Sequence, residues 1–246
     1  IVEVMRPRKT QTICDPACGS GGFLLAAQRY IFDHEGDELD RDDLKFLKTD
    51  AFRGYEYVPA TYRLCLMNMF LHGIGDLNSS VPIKWEDSLL KLPSERFDIV
   101  LANPPFGTKS ALKSITDEGK EIVEDGTYAR QDFWVSTSNK QVNFVQHINT
   151  ILKATGKAAV VVPDNVLFEG DAGETVRKQL LQNTDLHTIL RLPTGIFYKQ
   201  GVKANVIFFD KRPAGPDMKT KENMDLRLQD EHTLHAEAES AEGKRP

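Results

Sequence analysis

The chain has 246 residues, of which 40% are hydrophobic and 27% are charged, and its formal net charge at pH 7 is −5. These values predict a single sizeable core, and the longest apolar runs are strand-sized, well short of the roughly 20 residues of a membrane span. The negative charge argues against a stand-alone nucleic-acid binder, whose binding surface is basic.

The three cysteines, Cys14, Cys18 and Cys65, have no disulfide or metal-ligand spacing, so we expect no metal and a reduced, cytosolic setting.

The first recognisable unit leads from a short strand through a loop of small residues into a helix. Residues 12–25 place Asp15 before a loop that contains glycines at positions 19, 21 and 22, and an apolar helical pattern begins at Phe23. Glycines let the backbone approach a ligand, and a helix start presents free N–H groups. The loop lacks the Lys-Ser/Thr pair of a phosphate loop and the spacing of a dinucleotide fingerprint. A carboxylate before the loop favours a cofactor with a positive end, such as S-adenosylmethionine.

A second strand and an apolar helix are predicted next. The acid-rich residues 33–43 are predicted to form an exposed loop or insertion, and residues 51–56 a strand that ends in Glu56. An acid at that strand end accepts hydrogen bonds from ribose hydroxyls in nucleoside-binding sheets, so Glu56 is our ribose candidate. A solvated surface glutamate is the alternative.

A helix is predicted to begin at Pro59 and is apolar on nearly all faces, which predicts burial against the sheet or under a neighbouring domain.

The third predicted strand, Ile83–Trp85, is closed by Asp87 and Ser88. By its position after this strand, Asp87 would accept a hydrogen bond from the adenine amino group of a nucleoside cofactor. A simple helix cap is the competing interpretation of the same residue.

The fourth predicted strand, Phe97–Ala102, stops at an asparagine followed by two prolines. Each proline fixes its own φ and keeps its predecessor out of the α region, so Asn103 and Pro104 are expected to be extended and stiff. The Asn103 side-chain oxygen and the Pro104 carbonyl could accept the two hydrogens of a planar NH2 group whose flat face lies against Phe106. Open α/β sheets bind ligands at this end of a strand. A plain turn, with Phe106 in the core, is the alternative.

The remainder of the chain predicts an α/β sandwich with a polar end. Residues 107–141 have no clear period and form a long loop of the kind that is functional or mobile. After it come a helix at residues 142–152, a buried strand at 157–163, a helix at 174–182 and strands near 187–192 and 205–210. This order predicts a mostly parallel sheet flanked by helices, with an antiparallel last hairpin. We assign residues 1–210 to one domain and residues 211–246 to a polar linker or tail.

Two motifs carry a resemblance to a known family. Residues 15–23, Asp-Pro-Ala-Cys-Gly-Ser-Gly-Gly-Phe, and residues 103–106, Asn-Pro-Pro-Phe, make the chain resemble DNA methyltransferases that methylate N6 of adenine. Further matches at residues 160–168, 192–197 and 201–209 make roughly residues 1–211 similar to the modification subunit of type I restriction-modification systems. The resemblance implies a Rossmann-like fold and methyl transfer from S-adenosylmethionine to N6 of a flipped adenine.

The resemblance also implies roles for individual residues. The catalytic turn is Asn103, Pro104, Pro105 and Phe106, and the cofactor-binding residues are Asp15, Ala17, Cys18, Gly19, Ser20, Gly21, Gly22, Phe23, Glu56, Asp87 and Ser88. We interpret Cys18 as loop packing and not as a nucleophile, because the nucleophilic Pro-Cys loop of C5-cytosine methyltransferases is replaced here by the asparagine turn. No metal and no covalent intermediate are expected.

The resemblance implies partners as well. They are duplex DNA, a specificity subunit, the restriction subunit of the same system and a second copy of the chain. The specificity subunit is expected to read the DNA sequence and to supply much of the DNA-binding affinity. The resemblance implies a cytoplasmic location and no membrane partner. The loop at residues 107–141 is expected to fold over DNA or to become ordered on it.

Three alternative functions remain open. Another amine methyltransferase, acting on a protein glutamine or an RNA guanine, can share the Asn-Pro-Pro-aromatic turn, although tyrosine is more common there in the last position. A non-catalytic assembly module could keep the fold without the activity. A nicotinamide dehydrogenase is disfavoured by the glycine spacing and by Asp15.

The chain opens with Ile1 in a helical pattern, so we expect an N-terminally truncated piece of a longer protein. Members of the family carry a Thr-Pro-bearing stretch upstream of the glycine motif that helps to hold the methionine portion of the cofactor, and this chain starts after it. We therefore predict weak binding of S-adenosylmethionine by this chain alone. A calorimetric titration measures the affinity, and tight binding would contradict the expectation.

Overall fold

The computed structural model describes residues 1–76, 81–107, 128, 130–196, 203–213 and 219–220, and it describes the backbone alone of Ala111–Ile115, Glu121–Asp125 and Met224–Arg227. The strands are β1 (Ile13–Asp15), β2 (Phe52–Glu56), β3 (Ile83–Trp85), β4 (Phe97–Ala102), β5 (Ala111–Ile115), β6 (Glu121–Asp125), β7 (Leu152–Pro163), β8 (Thr184–Arg191), β9 (Ala204–Lys211) and β10 (Met224–Arg227). The helices are α1 (Val2–Met5), α2 (Gly22–Glu35), α3 (Arg41–Thr49), α4 (Pro59–Leu71), α5 (Lys140–Ile151), α6 (Asp164–Phe168) and α7 (Ala172–Asn183), with a 3-10 turn at Gly36–Glu38. No helix within these ranges is long and apolar enough to cross a membrane.

Eight strands form one sheet in the order β10-β8-β9-β7-β4-β1-β2-β3. All neighbours pair in parallel except β9, which is antiparallel to both β7 and β8. The predicted mostly parallel sheet with an antiparallel last hairpin is therefore confirmed. The chain builds outward from β1 through β2 to β3 and then returns to the other side of β1 as β4. The strand order thus reverses between β1 and β4, which is where open α/β sheets form a ligand crevice.

Buried apolar side chains cover both faces of the central strands. Along β4, Ile99 and Leu101 belong to the apolar layer beneath α2 and α4, whereas Val100 and Ala102 belong to the layer beneath α5 and α7. This alternation follows from the two-residue period of a strand. It explains why β4 is a continuous apolar run in the sequence, as expected for a parallel strand that is covered on both sides.

The pairing of β1 with β4 is secured by Asp98. Its Oδ2 accepts hydrogen bonds from the backbone N–H of Thr12 (2.9 Å) and from the Thr12 hydroxyl (2.8 Å), and it pairs with Lys153 Nζ (2.7 Å). Burial alone would raise the pKa of Asp98, but the hydrogen bonds from Lys153 and Thr12 outweigh it, and the pKa lies below its usual value. One carboxylate therefore holds together the beginning of β1, β4 and β7.

The acid-rich segment after α2 is more ordered than the predicted exposed loop. It contains the 3-10 turn and the start of α3, whose first turn is closed by a capping box. Asp40 Oδ1 accepts from the backbone N–H groups of Asp42 (2.9 Å) and Asp43 (2.8 Å), and Asp43 Oδ2 accepts from the Asp40 N–H. The acids that indicated a solvated loop are thus a helix start signal, and Leu47 of α3 is buried in the core.

Helix α4 is buried against the sheet along one face only, so burial of its other apolar side chains under a neighbouring domain stays a prediction. Cys65 and Met69 are fully buried, but Leu64, Met67 and Leu71 are between 51% and 79% exposed. An apolar side chain on a helix is buried only if another element reaches it, which the composition of the helix alone does not reveal. No described element covers this face.

The long segment after β4 contains an antiparallel hairpin of β5 and β6, where the sequence showed no period. Residues 108–110, 116–120, 126–127 and 129 of this predicted DNA-facing loop lie outside the described residues, as do residues 197–202, which carry part of the family resemblance.

Part of the predicted polar tail belongs to the sheet. Thr220 is buried, where its hydroxyl donates to the Thr184 carbonyl (2.7 Å) and accepts from the Leu186 N–H (2.8 Å), and β10 pairs with β8. Composition did not predict this strand because an edge strand offers free backbone groups, with which a segment of any composition can pair. Residues 228–246 of the predicted tail lie outside the described residues.

The capping box of α3 gives a test of this helix. Replacing Asp40 with alanine removes the acceptor for two N–H groups, so the free energy of unfolding should fall by about 1 kcal/mol in urea denaturation. Asp37→Ala is the matched control, because the exposed Asp37 side chain accepts no hydrogen bond from the described residues. An equal loss in both variants would show that Asp40 does not cap the helix.

Candidate functional site

A cavity of about 860 Å³ opens at the carboxyl edge of the sheet. The two predicted motifs share it: its wall includes Asp15, Ala17, Cys18, Gly19, Ser20, Gly22 and Phe23 from the glycine motif and Asn103 from the asparagine turn. The motifs are about 80 residues apart in the sequence, and they meet because β1 and β4 are neighbouring parallel strands that leave the sheet at the same edge. Among the described residues, Gly21, Glu56, Asp87, Ser88, Pro104, Pro105 and Phe106 are not part of this wall.

The glycine loop has a conformation that larger residues would not adopt. Gly19 and Gly21 have φ values of +55° and +87°, and a Cβ on Gly21 would lie 3.0 Å from Cys65 Sγ and even closer to Met69 Cε. Positive φ favours glycine because it has no Cβ to clash with the backbone. Gly21 is also the N-cap of α2, so its lack of a side chain allows the loop to lie close to α4 while α2 starts at the cavity.

Asp15 is a desolvated carboxylate in the cavity wall. It is 2% exposed, and its Oδ1 accepts from the Ala17 N–H (3.0 Å). The pKa of Asp15 is raised to about 7, because burial and, to a smaller extent, the nearby charge of Glu56 outweigh the lowering effect of the Ala17 N–H. No described lysine or arginine pairs with it. A cation in the cavity would therefore interact favourably with the ionised form of Asp15.

Glu56 lies beside the glycine loop and not in the cavity wall. Its Oε2 accepts from the Gly19 N–H (3.1 Å), and its Oε1 accepts from the Val58 N–H (2.7 Å). Two backbone donors thus fix the carboxylate at the end of β2. Each oxygen retains a further lone pair.

Asp87 and Ser88 connect the end of β3 to the rest of the site. Asp87 Oδ1 accepts from the Leu89 N–H (3.0 Å), which is a local turn contact of the kind expected for a cap, and its Oδ2 accepts from the Tyr128 hydroxyl (2.8 Å). The buried Ser88 hydroxyl donates to the Pro16 carbonyl (2.8 Å). This hydroxyl ties the loop after β3 to the glycine motif.

Asn103 of the asparagine turn lies in the cavity wall. Asn103 is exposed, and its side chain makes no hydrogen bond with any described residue, whereas Pro104 is buried and holds the turn against the sheet. Phe106 is partly buried and packs on the apolar layer beneath α2. A rigid turn therefore holds an amide whose donor and acceptor groups are both available to a ligand.

Cys18 and Cys65 form a buried contact, with their Sγ atoms 3.7 Å apart. Their mutual hydrogen bond and burial raise the pKa of Cys18 far above its usual value. A neutral thiol is a poor nucleophile, in agreement with our interpretation of Cys18 as loop packing.

Several cavity residues were not predicted from the sequence. Helix α2 contributes Ala26, Arg29, Tyr30 and Asp33, and α1 with its N-cap contributes Ile1, Val2 and Glu3. The α2 residues continue from Phe23 at intervals of three and four, so the helical period could have identified them once the start of the helix was assigned.

Comparison with known proteins supports the predicted resemblance. Residues 1–237 match the family described as N-6 DNA Methylase. The chain is 44% identical over 218 residues to the type I restriction enzyme StySPI methylase subunit of Salmonella potsdam and to the EcoKI methylase subunit of Escherichia coli K12, and each match covers 86% of this chain and 38% of the relative. The chain thus spans well under half the length of these relatives.

A solved structure supports the fold. The crystal structure of the EcoKI M protein superposes with a TM-score of 0.77 at 40% identity, over 93% of this chain and 46% of that chain. The predicted Rossmann-like methyltransferase fold is confirmed. The match over residues 1–237, together with the two motifs and the strand order, shows that this chain belongs to the N-6 DNA Methylase family.

Proposed function

We propose that this chain is the catalytic domain of a DNA methyltransferase, the modification subunit of a type I restriction-modification system, which methylates N6 of a flipped adenine from S-adenosylmethionine. The observation that carries the proposal is the shared cavity, whose wall includes Asp15, the glycine loop and Asn103. The relatives are more than twice as long as the chain, so the activity is proposed for the whole protein that contains this domain.

The residues of the cavity suit S-adenosylmethionine. Asp15 is a buried carboxylate without a described cationic partner, which suits the positive end of this cofactor, and the glycine loop lets its backbone lie close to a ligand. Beside the cavity, Glu56 and Ser88 are hydrogen-bonded to the glycine motif. There Glu56 would bind the ribose, and Asp87 with Ser88 would hold the adenine. When bound, S-adenosylmethionine supplies an electrophilic methyl group on a sulfonium.

The asparagine turn would prepare the target amine. Asn103 Oδ1 and the Pro104 carbonyl would accept the two N6 hydrogens of adenine, which raises the electron density on the nitrogen and fixes the direction of its lone pair. Phe106 would stack on the extruded base. Rate acceleration would then come mainly from orientation and electrostatic complementarity in a desolvated site.

The net charge supports shared DNA binding. A chain with a net charge of −5 lacks the basic character of a protein that holds duplex DNA alone. We therefore propose that a specificity subunit, the restriction subunit and a second copy of the chain assemble with it on DNA in the cytoplasm.

The role of Asn103 can be tested by substitution in the full-length protein assembled with its specificity subunit. Asn103→Ala removes one acceptor for the target amine, so methylation of a duplex oligonucleotide should fall by roughly 10²–10³-fold. The dissociation constant for S-adenosylmethionine should stay within about twofold of the unsubstituted protein, because the asparagine is assigned to the target and not to the cofactor.

Asn183→Ala serves as the matched control, because the Asn183 side chain bonds only to Gln179 within α7 among the described residues. Full activity of the Asn103 variant would refute the assigned role. Loss of activity in both variants would indicate a general effect on folding.

The raised pKa of Asp15 predicts how cofactor binding depends on pH. Below pH 7 the carboxyl group is mostly protonated and must release a proton to interact with a cation. The dissociation constant for S-adenosylmethionine should therefore fall by about tenfold in total as the pH rises from 6 to 8, and most of this fall should occur below pH 7. Calorimetry in buffers of different ionisation enthalpy measures the released proton.

Asp15→Asn should bind more weakly and lose this pH dependence, whereas Asp37→Asn, on the exposed turn after α2, should retain it. An unsubstituted protein whose affinity stays constant from pH 6 to 8 would argue against a role for Asp15 in binding the positive end of the cofactor.

A further inference from the structure

Tyr128 makes a partly buried contact with Asp87, the proposed adenine-binding acid. Its hydroxyl donates to Asp87 Oδ2 at 2.8 Å, although the two residues are 41 positions apart in the sequence. The Tyr128 side chain is buried. Because the Leu89 N–H occupies the other carboxylate oxygen, both oxygens of Asp87 have a fixed donor.

The surroundings of Tyr128 hold this contact in place. Tyr128 belongs to a small apolar cluster with Leu89, Phe133 and Phe144, against which Ala17 of the glycine motif packs. Polar contacts support the same turn, because Arg130 Nη1 donates to the Leu89 carbonyl (3.3 Å). The cluster therefore joins the turn at Asp87 to the glycine loop.

Arg130 is itself fixed by its neighbours. Its Nη2 pairs with Asp132 Oδ2 (2.6 Å), and its guanidinium lies 4.2 Å from the centre of the Phe133 ring. The group of Arg130, Asp132 and Phe133 is thus a packed support and not a loose connection. In the sequence it follows the asparagine turn and the β5–β6 hairpin.

We propose that Tyr128 is a positioning residue, whose hydroxyl holds the Asp87 carboxylate so that a free lone pair accepts a hydrogen bond from the 6-amino group of the adenine of the cofactor. This inference rests on the proposed function. A carboxylate has about four lone-pair positions, of which Tyr128 and Leu89 occupy two, so an acceptor position remains. A buried hydroxyl fixes the direction of that position better than water, which reorients freely.

The test compares two ligands in the full-length protein. One is S-adenosylhomocysteine, and the other is the same molecule with hydrogen in place of the 6-amino group. Tyr128→Phe should weaken S-adenosylhomocysteine binding roughly tenfold. The affinity for the ligand without the amino group should stay within about twofold, because that ligand makes no hydrogen bond to Asp87.

Tyr55→Phe is the matched control. The Tyr55 hydroxyl is buried and has no hydrogen-bond partner among the described residues, so its removal should leave both affinities unchanged. In an Asp87→Ala background, Tyr128→Phe should cause no further loss, because Tyr128 acts through that carboxylate. This second comparison separates positioning from a general effect on packing.

Two results would overturn the inference: an equal loss for both ligands in Tyr128→Phe, which would indicate a packing role alone, or no loss for either ligand. A further loss in the Asp87→Ala background would also overturn it. If the unsubstituted full-length protein binds neither ligand, the proposed function is refuted. If that protein binds S-adenosylhomocysteine but the Tyr128 variants give one of the results above, only the proposed role of Tyr128 is refuted.

Discussion

The parallel pairing of β1 with β4 is the constraint on which the site depends. Ile13 lies opposite Ile99 and Cys14 opposite Val100, so both strands leave the sheet at the same edge. Asp98 holds this arrangement through Thr12 and Lys153 at the other end of the strands. Because the strand order reverses here, a crevice forms at this edge of the sheet, and the wall of the cavity includes both Asp15 and Asn103.

The two sides of this cavity have different chemical characters. The glycine side combines a desolvated carboxylate with a backbone that can lie close to a ligand, a combination suited to a cation with a nucleoside. The asparagine side offers an amide on a rigid support, which is suited to a planar amine. The local residues determine the chemical character of each side, but methyl transfer would require both sides at the same edge of the sheet. The parallel pairing of β1 with β4 brings them to that edge.

The sequence predicted those parts of the structure that local patterns determine. Buried strands are continuous apolar runs, and the residues that end them, Asp15 and Asn103, interrupt those runs, so the two motifs and the order of the main elements could be predicted. One misinterpretation came from composition, because the acids that cap α3 suggested a loop. The apolar face of α4 is exposed in this chain, so its predicted burial under a neighbouring domain stays a prediction. In both places the structure depends on a specific contact, or on a covering element, that composition does not encode.

Long-range contacts were the least accessible part of the site. The Ser88 hydroxyl bonds to the Pro16 carbonyl across 72 positions, and Tyr128 bonds to Asp87 across 41. Neither contact is marked by a hydrophobic periodicity or a sequence motif from which it could be predicted. The strand β10 was missed for a similar reason, since its place in the sheet depends on the free edge of β8 and not on its own polar sequence.

The identity of the methylated product tests the central claim most directly. The full-length protein with its specificity subunit would be incubated with duplex DNA and S-adenosylmethionine labelled in the methyl group, and the DNA would be digested to nucleosides. The account predicts that the label is recovered in N6-methyladenine. Label in a cytosine, in RNA or in protein, or no transfer at all, would contradict it.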